Sequence, residues 1–213
     1  MLANLRNYLP EHGTVVPERL VGYGRRQRSL ARDVIVAIDQ SGSMADSVVY
    51  AAVFGAVLAE IPALRTSVIA FDTAVADLTA VADDPVDILF GVQLGGGTDI
   101  AQAVGYCRQL IDRPAESVLF LVTDLYEGGN ADLLQARVDE LVRSGVTVVV
   151  LLALSDEGAP AYDHQQAQLL AALGVPSFAC TPAQFPDVLA AALEGRDVGR
   201  WANDHGLTTV TSR

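Results

Sequence analysis

Residues 33–43 read DVIVAIDQSGS, and the first seven of them, DVIVAID, decide the fold. Apolar residues run on without alternation between two aspartates, the pattern of a strand covered on both faces. Two later runs repeat it: 117–124 (SVLFLVTD) and 146–154 (VTVVVLLAL). Between these runs the period changes to that of a helix. In 98–112, Ile100, Ala103, Val104, Cys107 and Ile111 fall on one stripe; in 131–144, Leu134, Val138, Leu141 and Val142 do, and Gly145 supplies the stop. Residues 47–61 are apolar almost all round, which predicts a deeply packed helix or an interface face. Residues 66–71 and 75–81 read as a strand pair turning at Asp72-Thr73. A helix over 163–173 closes at Gly174, and a short strand over 177–180 follows it. The last helix has Thr181 as N-cap, Pro182 in its first position and Gly195 after its end. Alternation of this kind predicts an α/β fold: an open, doubly wound, mostly parallel sheet with one antiparallel edge strand and helices on both faces.

The 213 residues suffice for one domain with a buried core, and 51% apolar content is too high for a disordered chain. Residues 33–194 form the expected domain. Residues 1–32 form an Arg-rich lead-in, and 195–213 read as a polar tail around Trp201. All 14 basic residues are Arg. Without lysine there is no P-loop and no Schiff base. The net charge of −12 divides into +4 over residues 1–32 and −16 over the rest. A negative body repels phosphate and suits cations, so no nucleic-acid partner is expected. The longest apolar run, 48–59, is too short to span a bilayer, and no apolar leader opens the chain. No membrane insertion and a cytoplasmic location are the expectation. Cys107 and Cys180 lack CxxC spacing, and their spacing leaves open whether they pair.

Ligands of doubly wound sheets sit at the carboxyl ends of the strands. The first strand runs out into Asp39-Gln40-Ser41-Gly42-Ser43, the middle one into Thr123-Asp124, and Gly95-Gly96-Gly97-Thr98-Asp99 opens a helix between them. Asp39, Ser41 and Ser43 occupy alternate positions of one tight loop, so their oxygens can converge, with Thr98 and Asp124 arriving from neighbouring loops. Two carboxylates and neutral hydroxyls suit a small hard divalent ion such as Mg²⁺, with Mn²⁺ or Ca²⁺ as substitutes. The glycines of these loops allow close backbone approach and positive φ.

Asp39-x-Ser41-x-Ser43 after an apolar strand, Thr98 after a Gly-rich loop and Asp124 after another apolar strand resemble the von Willebrand factor A domain with a complete metal-ion-dependent adhesion site. The resemblance implies that Asp39, Ser41 and Ser43 are primary ligands, and that Thr98 and Asp124 bind directly or through water. It also implies a non-enzymatic Mg²⁺-dependent interaction module whose protein partner supplies an acidic side chain to the metal. Leu125 departs from the pattern, since many family members have Gly just after the third-loop Asp. The lead-in YGRRQR (23–28), IDQSGSM (38–44) and DLYEGG (124–129) are similar to bacterial cytoplasmic CoxE-like proteins. That similarity implies an adaptor role beside a MoxR-type AAA+ ATPase.

Simpler readings compete residue by residue. Ser43 with Asp46 fits a helix capping box, and Thr98 an N-cap. Residues 95–97 could cradle phosphate, though no lysine or GxGxxG accompanies them. Asp72, Asp99 and Glu127 read as turn or capping acids. His12, His164 and His205 read as surface residues, and the Arg25–Arg28 cluster as solvated or as a docking element. The competing function is a phosphatase-like metal-dependent hydrolase using Asp39. It would want an aspartate where Ser41 stands, and a lysine.

Overall fold

The computed structural model describes residues 8–9, 14–15, 32–61, 63–82, 84–90, 97–154, 161–181 and 183–211. The Arg25–Arg28 cluster, His12, Gly95, Gly96 and Pro182 lie outside them, with most of the expected lead-in. Within that lead-in, β1 (Tyr8–Leu9) pairs antiparallel with β2 (Thr14–Val15).

The uninterrupted apolar runs become the middle of the sheet. β3 (Arg32–Asp39) pairs in parallel with β4 (Leu64–Phe71) on one side and β6 (Ser117–Val122) on the other. β7 (Thr147–Leu154) and β8 (Ser177–Cys180) extend the parallel part, and β5 (Val75–Asp77) closes the far edge antiparallel to β4. The strand order is β5-β4-β3-β6-β7-β8. All six residues of β6 are buried; each large apolar side chain so covered contributes about 1.5–3 kcal/mol.

Seven helices join the strands among the described residues: α1 (Ala45–Ala59), α2 (Pro85–Phe90), α3 (Ile100–Gln109), α4 (Ala131–Ser144), α5 (His164–Ala172), α6 (Phe185–Leu193) and α7 (Val198–Asp204). Alternation along β3 divides the core in two. Val34, Val36 and Ile38 pack with α1, α2, α6 and α7, while Ile35 and Ala37 pack with α3, α4 and α5. The expected fold class, a mostly parallel α/β sheet with one antiparallel edge strand and helices on both faces, is the one observed.

Several local expectations change. The second strand of the edge pair ends at Asp77, because Asp77 Oδ1 accepts the Thr79 N–H (2.9 Å) and turns the chain into a 3-10 segment over Thr79–Val81. α6 begins at Phe185, so Thr181 is not its N-cap. Instead Gln184 Oε1 accepts both the Thr181 N–H (2.9 Å) and the Thr181 hydroxyl (3.0 Å), and Pro186 occupies the first turn, where a missing N–H costs nothing. Of the two readings of α1, only deep enclosure is set aside: Ala51, Ala52 and Leu58 are buried, but Val49, Val53 and Val57 form an exposed stripe at four-residue spacing. The largest change concerns the expected polar tail. It contains α7, whose Val198, Trp201 and Ala202 join the core, with Asp197 Oδ1 capping it from the Arg200 N–H (2.9 Å).

Cys107 and Cys180 are free and belong to opposite layers of the core. Burial pushes both thiols up to about 12. The native protein should therefore give no thiol titre with an aromatic disulfide reagent at pH 8, and two equivalents in denaturant. Their linkage to folding has a definite sign. An acid held protonated in the native state lowers stability as pH rises from its ordinary value near 9.0 to about 12, and does nothing below that window.

Candidate metal centre

The chain leaves β3 for β4 on one side and returns for β6 on the other, so the sheet's switch point lies between β3 and β6. Asp39 is the last residue of β3, and Thr123 and Asp124 directly follow β6. Parallel register places them side by side, with Ile38 opposite Val122. Thr123 makes the link: its hydroxyl donates to Asp39 Oδ2 at 2.6 Å and accepts the Leu125 N–H at 3.1 Å. Thr123 is fully buried and carried no role in the sequence reading. Its only signal there was a hydroxyl residue at the end of an otherwise apolar strand.

Asp39 is itself fully buried. Its Oδ1 accepts the Ser41 N–H (2.9 Å), closing the loop that carries the serines, and the Ser41 and Ser43 hydroxyls face each other at 3.3 Å. Burial holds the Asp39 carboxyl above its ordinary range. The hydrogen bonds from Thr123 and Ser41 pull it down, and the charge of Asp124 pushes it up. Asp124 is 2% exposed; its Oδ1 accepts the Tyr126 N–H (3.2 Å), while Oδ2 has no hydrogen-bond partner among the described residues. A buried carboxylate oxygen without a partner is costly. The pair is thus short of positive charge.

The capping readings resolve against Ser43 and Thr98. α1 follows a 3-10 turn over Gly42–Met44, and its N-cap, Met44, makes no side-chain cap bond. α3 is capped by Asp99, whose Oδ1 accepts the Gln102 N–H at 2.7 Å. Thr98 sits one residue before that cap, buried, with its carbonyl accepting the Gly128 N–H at 2.8 Å. Asp72 is a turn acid, accepting the Ala74 N–H at 2.7 Å.

Of the glycines expected to matter, Gly42 and Gly97 lie among the described residues, and neither is required there by space or by a positive φ. A Cβ on Gly42 would meet nothing within 4 Å, and its φ is not positive. On Gly97 it would make only an ordinary contact, 3.6 Å from the Thr73 side chain. On Gly128, by contrast, it would lie 2.7 Å from the Thr98 carbonyl oxygen. Leu125, where the resemblance leads one to look for glycine, keeps a left-handed φ of +65°. That conformation costs an ordinary residue roughly 1–2 kcal/mol, and complete burial of the side chain offsets it.

Among the described residues no three His, Cys, Asp or Glu side chains gather into a metal-binding group. The edge offers two carboxylates and hydroxyls, an all-oxygen donor set suited to a hard cation. His164 packs on Tyr162, and His205 bonds the Trp201 carbonyl. No described helix is long and apolar enough to cross a membrane.

The family described as "VWA domain containing CoxE-like protein" matches residues 1–189. The uncharacterized protein YehP of Escherichia coli (strain K12) is 46% identical over 193 residues, 90% of this chain and 51% of that protein. The chain therefore spans about half the length of this curated relative. Among solved structures, the conserved hypothetical protein BatB from Bacteroides thetaiotaomicron has a TM-score of 0.57 at 15% identity, over 78% of this chain and 98% of that one. An aerotolerance-related membrane protein from Bacteroides fragilis NCTC 9343 gives 0.56 at 15%, again over 78% and 98%. Proximal thread matrix protein 1 of the mussel byssus gives 0.54 at 17%, over 76% and 47%. At these identities the structural likeness is one of fold.

Proposed function

We propose, from the premise that the chain belongs to the CoxE-like family of VWA domain proteins, that its sheet edge is a Mg²⁺-dependent protein-binding site without enzymatic activity. Asp39, Ser41 and Ser43 hold the ion, and Thr98 and Asp124 complete the set. The observation that carries this reading is the unpartnered Oδ2 of buried Asp124 beside buried Asp39. Two carboxylates held in one dry corner repel each other, and a divalent cation supplies the missing positive charge.

The protein's residues divide the work. Thr123 and the Ser41 N–H fix Asp39 so that it does not need to reorganise when the ion arrives. Neutral hydroxyls from the serines leave the ion electrophilic. Mg²⁺ prefers six oxygens and keeps some water; an acidic side chain of a partner can replace such a water. A MoxR-type AAA+ ATPase is the partner class proposed, and the cytoplasm the proposed location.

The experiment is capture of partners from extract by the tagged protein, in Mg²⁺ and in EDTA. Metal-dependent capture, restored when Mg²⁺ is returned and competed by an excess of free acidic peptide, supports the reading. Capture that persists unchanged in EDTA overturns it.

A further inference from the structure

The loop after Asp124 reads Leu125-Tyr126-Glu127-Gly128-Gly129, and two of its residues, Glu127 and Gly128, bond the start of α3 and the residue before its cap. Glu127 Oε2 accepts the Ala101 N–H (3.0 Å) across the loop boundary, and Oε1 accepts the Gly129 N–H (2.6 Å) in its own loop. The Gly128 N–H donates to the Thr98 carbonyl at 2.8 Å. The fit leaves no room for a side chain at Gly128, where backbone stands in the way. A Cβ at Gly128 would lie 2.7 Å from that carbonyl, and one at Gly129 would lie 2.7 Å from Glu127 Oε1 and 3.0 Å from Asp99 Cγ. Helix α3 consequently has two carboxylates at its N-terminus: Asp99 on the Gln102 N–H and Glu127 on the Ala101 N–H. Asp99 already caps the helix by itself. What Glu127 adds is a second tie, beside the Gly128–Thr98 bond, between two loops far apart in the chain.

We infer that Glu127 is a positioning residue: it locks the loop bearing Asp124 onto the loop bearing Thr98, and so sets the place of the threonine hydroxyl in the metal site. The inference rests on the proposed metal site and deepens it. Groups that orient a ligand without touching the ion typically control 10–100-fold in metal affinity. Glu127 makes no hydrogen bond to a proposed ligand with its own carboxylate; it acts through the amide of Ala101, three residues after Thr98, and the amide of Gly129, five residues after Asp124.

A simple loss of affinity in Glu127→Ala would not distinguish positioning from the removal of one negative charge near a cation. A double-mutant cycle with Thr98 does, because the charge acts with or without Thr98, whereas positioning has nothing to position once the hydroxyl is gone. Mg²⁺ affinity is measured by calorimetry on the full chain for the parent, Glu127→Ala, Thr98→Ala and the double variant. Hydrogen exchange of the Ala101 and Gly129 amides is followed in the metal-free state. Expected are a loss of about 10-fold or more for Glu127→Ala, less than about 2-fold further loss when it is added to Thr98→Ala, and faster exchange at both amides. Glu127→Gln, which keeps one acceptor oxygen, should recover part of the affinity. An unchanged affinity in Glu127→Ala, or an equal loss with and without Thr98, overturns the inference while leaving the metal site standing. If the parent chain takes up no Mg²⁺ while amide protection still depends on Glu127, the metal site itself falls and the positioning role with it; the clamp is then structural.

Discussion

Asp39→Asn should abolish Mg²⁺ binding while leaving the metal-free fold as stable as the parent. The substitution keeps the size of the side chain. It also keeps an oxygen to accept the Ser41 N–H or the Thr123 hydroxyl, the two bonds that Asp39 makes at 2.9 and 2.6 Å. What it removes is one of those two acceptors, together with a charge that burial already disfavours and that Asp124 opposes, so the two effects offset. Metal-free melting should therefore be unchanged. Metal affinity should fall by more than about 100-fold, since loss of a direct ligand exceeds the cost of losing an orienting group. Thermal shift reads both at once. At a concentration of 100 times its Kd, Mg²⁺ stabilises the folded state by about 2.7 kcal/mol; in a chain of this size that is about 5–11 °C for the parent. The shift should be absent in the variant. A variant that still responds to Mg²⁺ like the parent removes Asp39 from the ligand set.

Trp201→Ala should be the most damaging single change in the C-terminal segment. Trp201 is 8% exposed, belongs to the same core as α1 and α6, and stacks on His205 with ring centroids 4.2 Å apart. Truncating a large buried aromatic costs about 3–5 kcal/mol, which in a protein of this length lowers the melting temperature by about 6–20 °C. Trp201→Phe, which keeps a ring against the same wall, should cost less than half as much. Circular dichroism melts decide this, and the outcome has a simple meaning. A loss near zero would return residues 195–211 to the status of a tail. The expected loss makes α7 part of the domain, and shortening the chain before Asp197 should then be at least as harmful. Asp197 adds to the argument, since it caps α7 from the Arg200 N–H.

The core of the fold was legible because its strands are buried on both faces. Such strands must be apolar at every position, and β3, β6 and β7 announce themselves without help from anything distant in sequence. α3 and α4 were legible for a different local reason: a helix buried on one side carries an apolar stripe with a single period. α7 was not. Seven residues with Gly199, Arg200, Asn203 and Asp204 around Val198, Trp201 and Ala202 are polar on average, and burial of one face depends on the neighbouring α6 and the sheet. The caps failed where more than one local partner was on offer. Thr98 and Ser43 are both good N-cap residues, yet Asp99 takes one cap and neither serine nor threonine makes the other.

The order and kind of the central elements are written in the chain alone, and so is the placement of Asp39, Ser41, Ser43, Thr98 and Asp124 after strand ends or a Gly-rich loop. Those are local properties: apolar period, chain order and residue chemistry. Tertiary structure decided which of them share a charge environment. Only the parallel pairing of β3 with β6 brings Asp39 against Thr123 and Asp124 across more than eighty residues, and only the packing of the third loop on α3 gives Glu127, Gly128 and Gly129 a task. Hydrogen bonds over such separations leave no periodic trace in a single chain, because their partners are chosen by the fold and not by neighbouring residues.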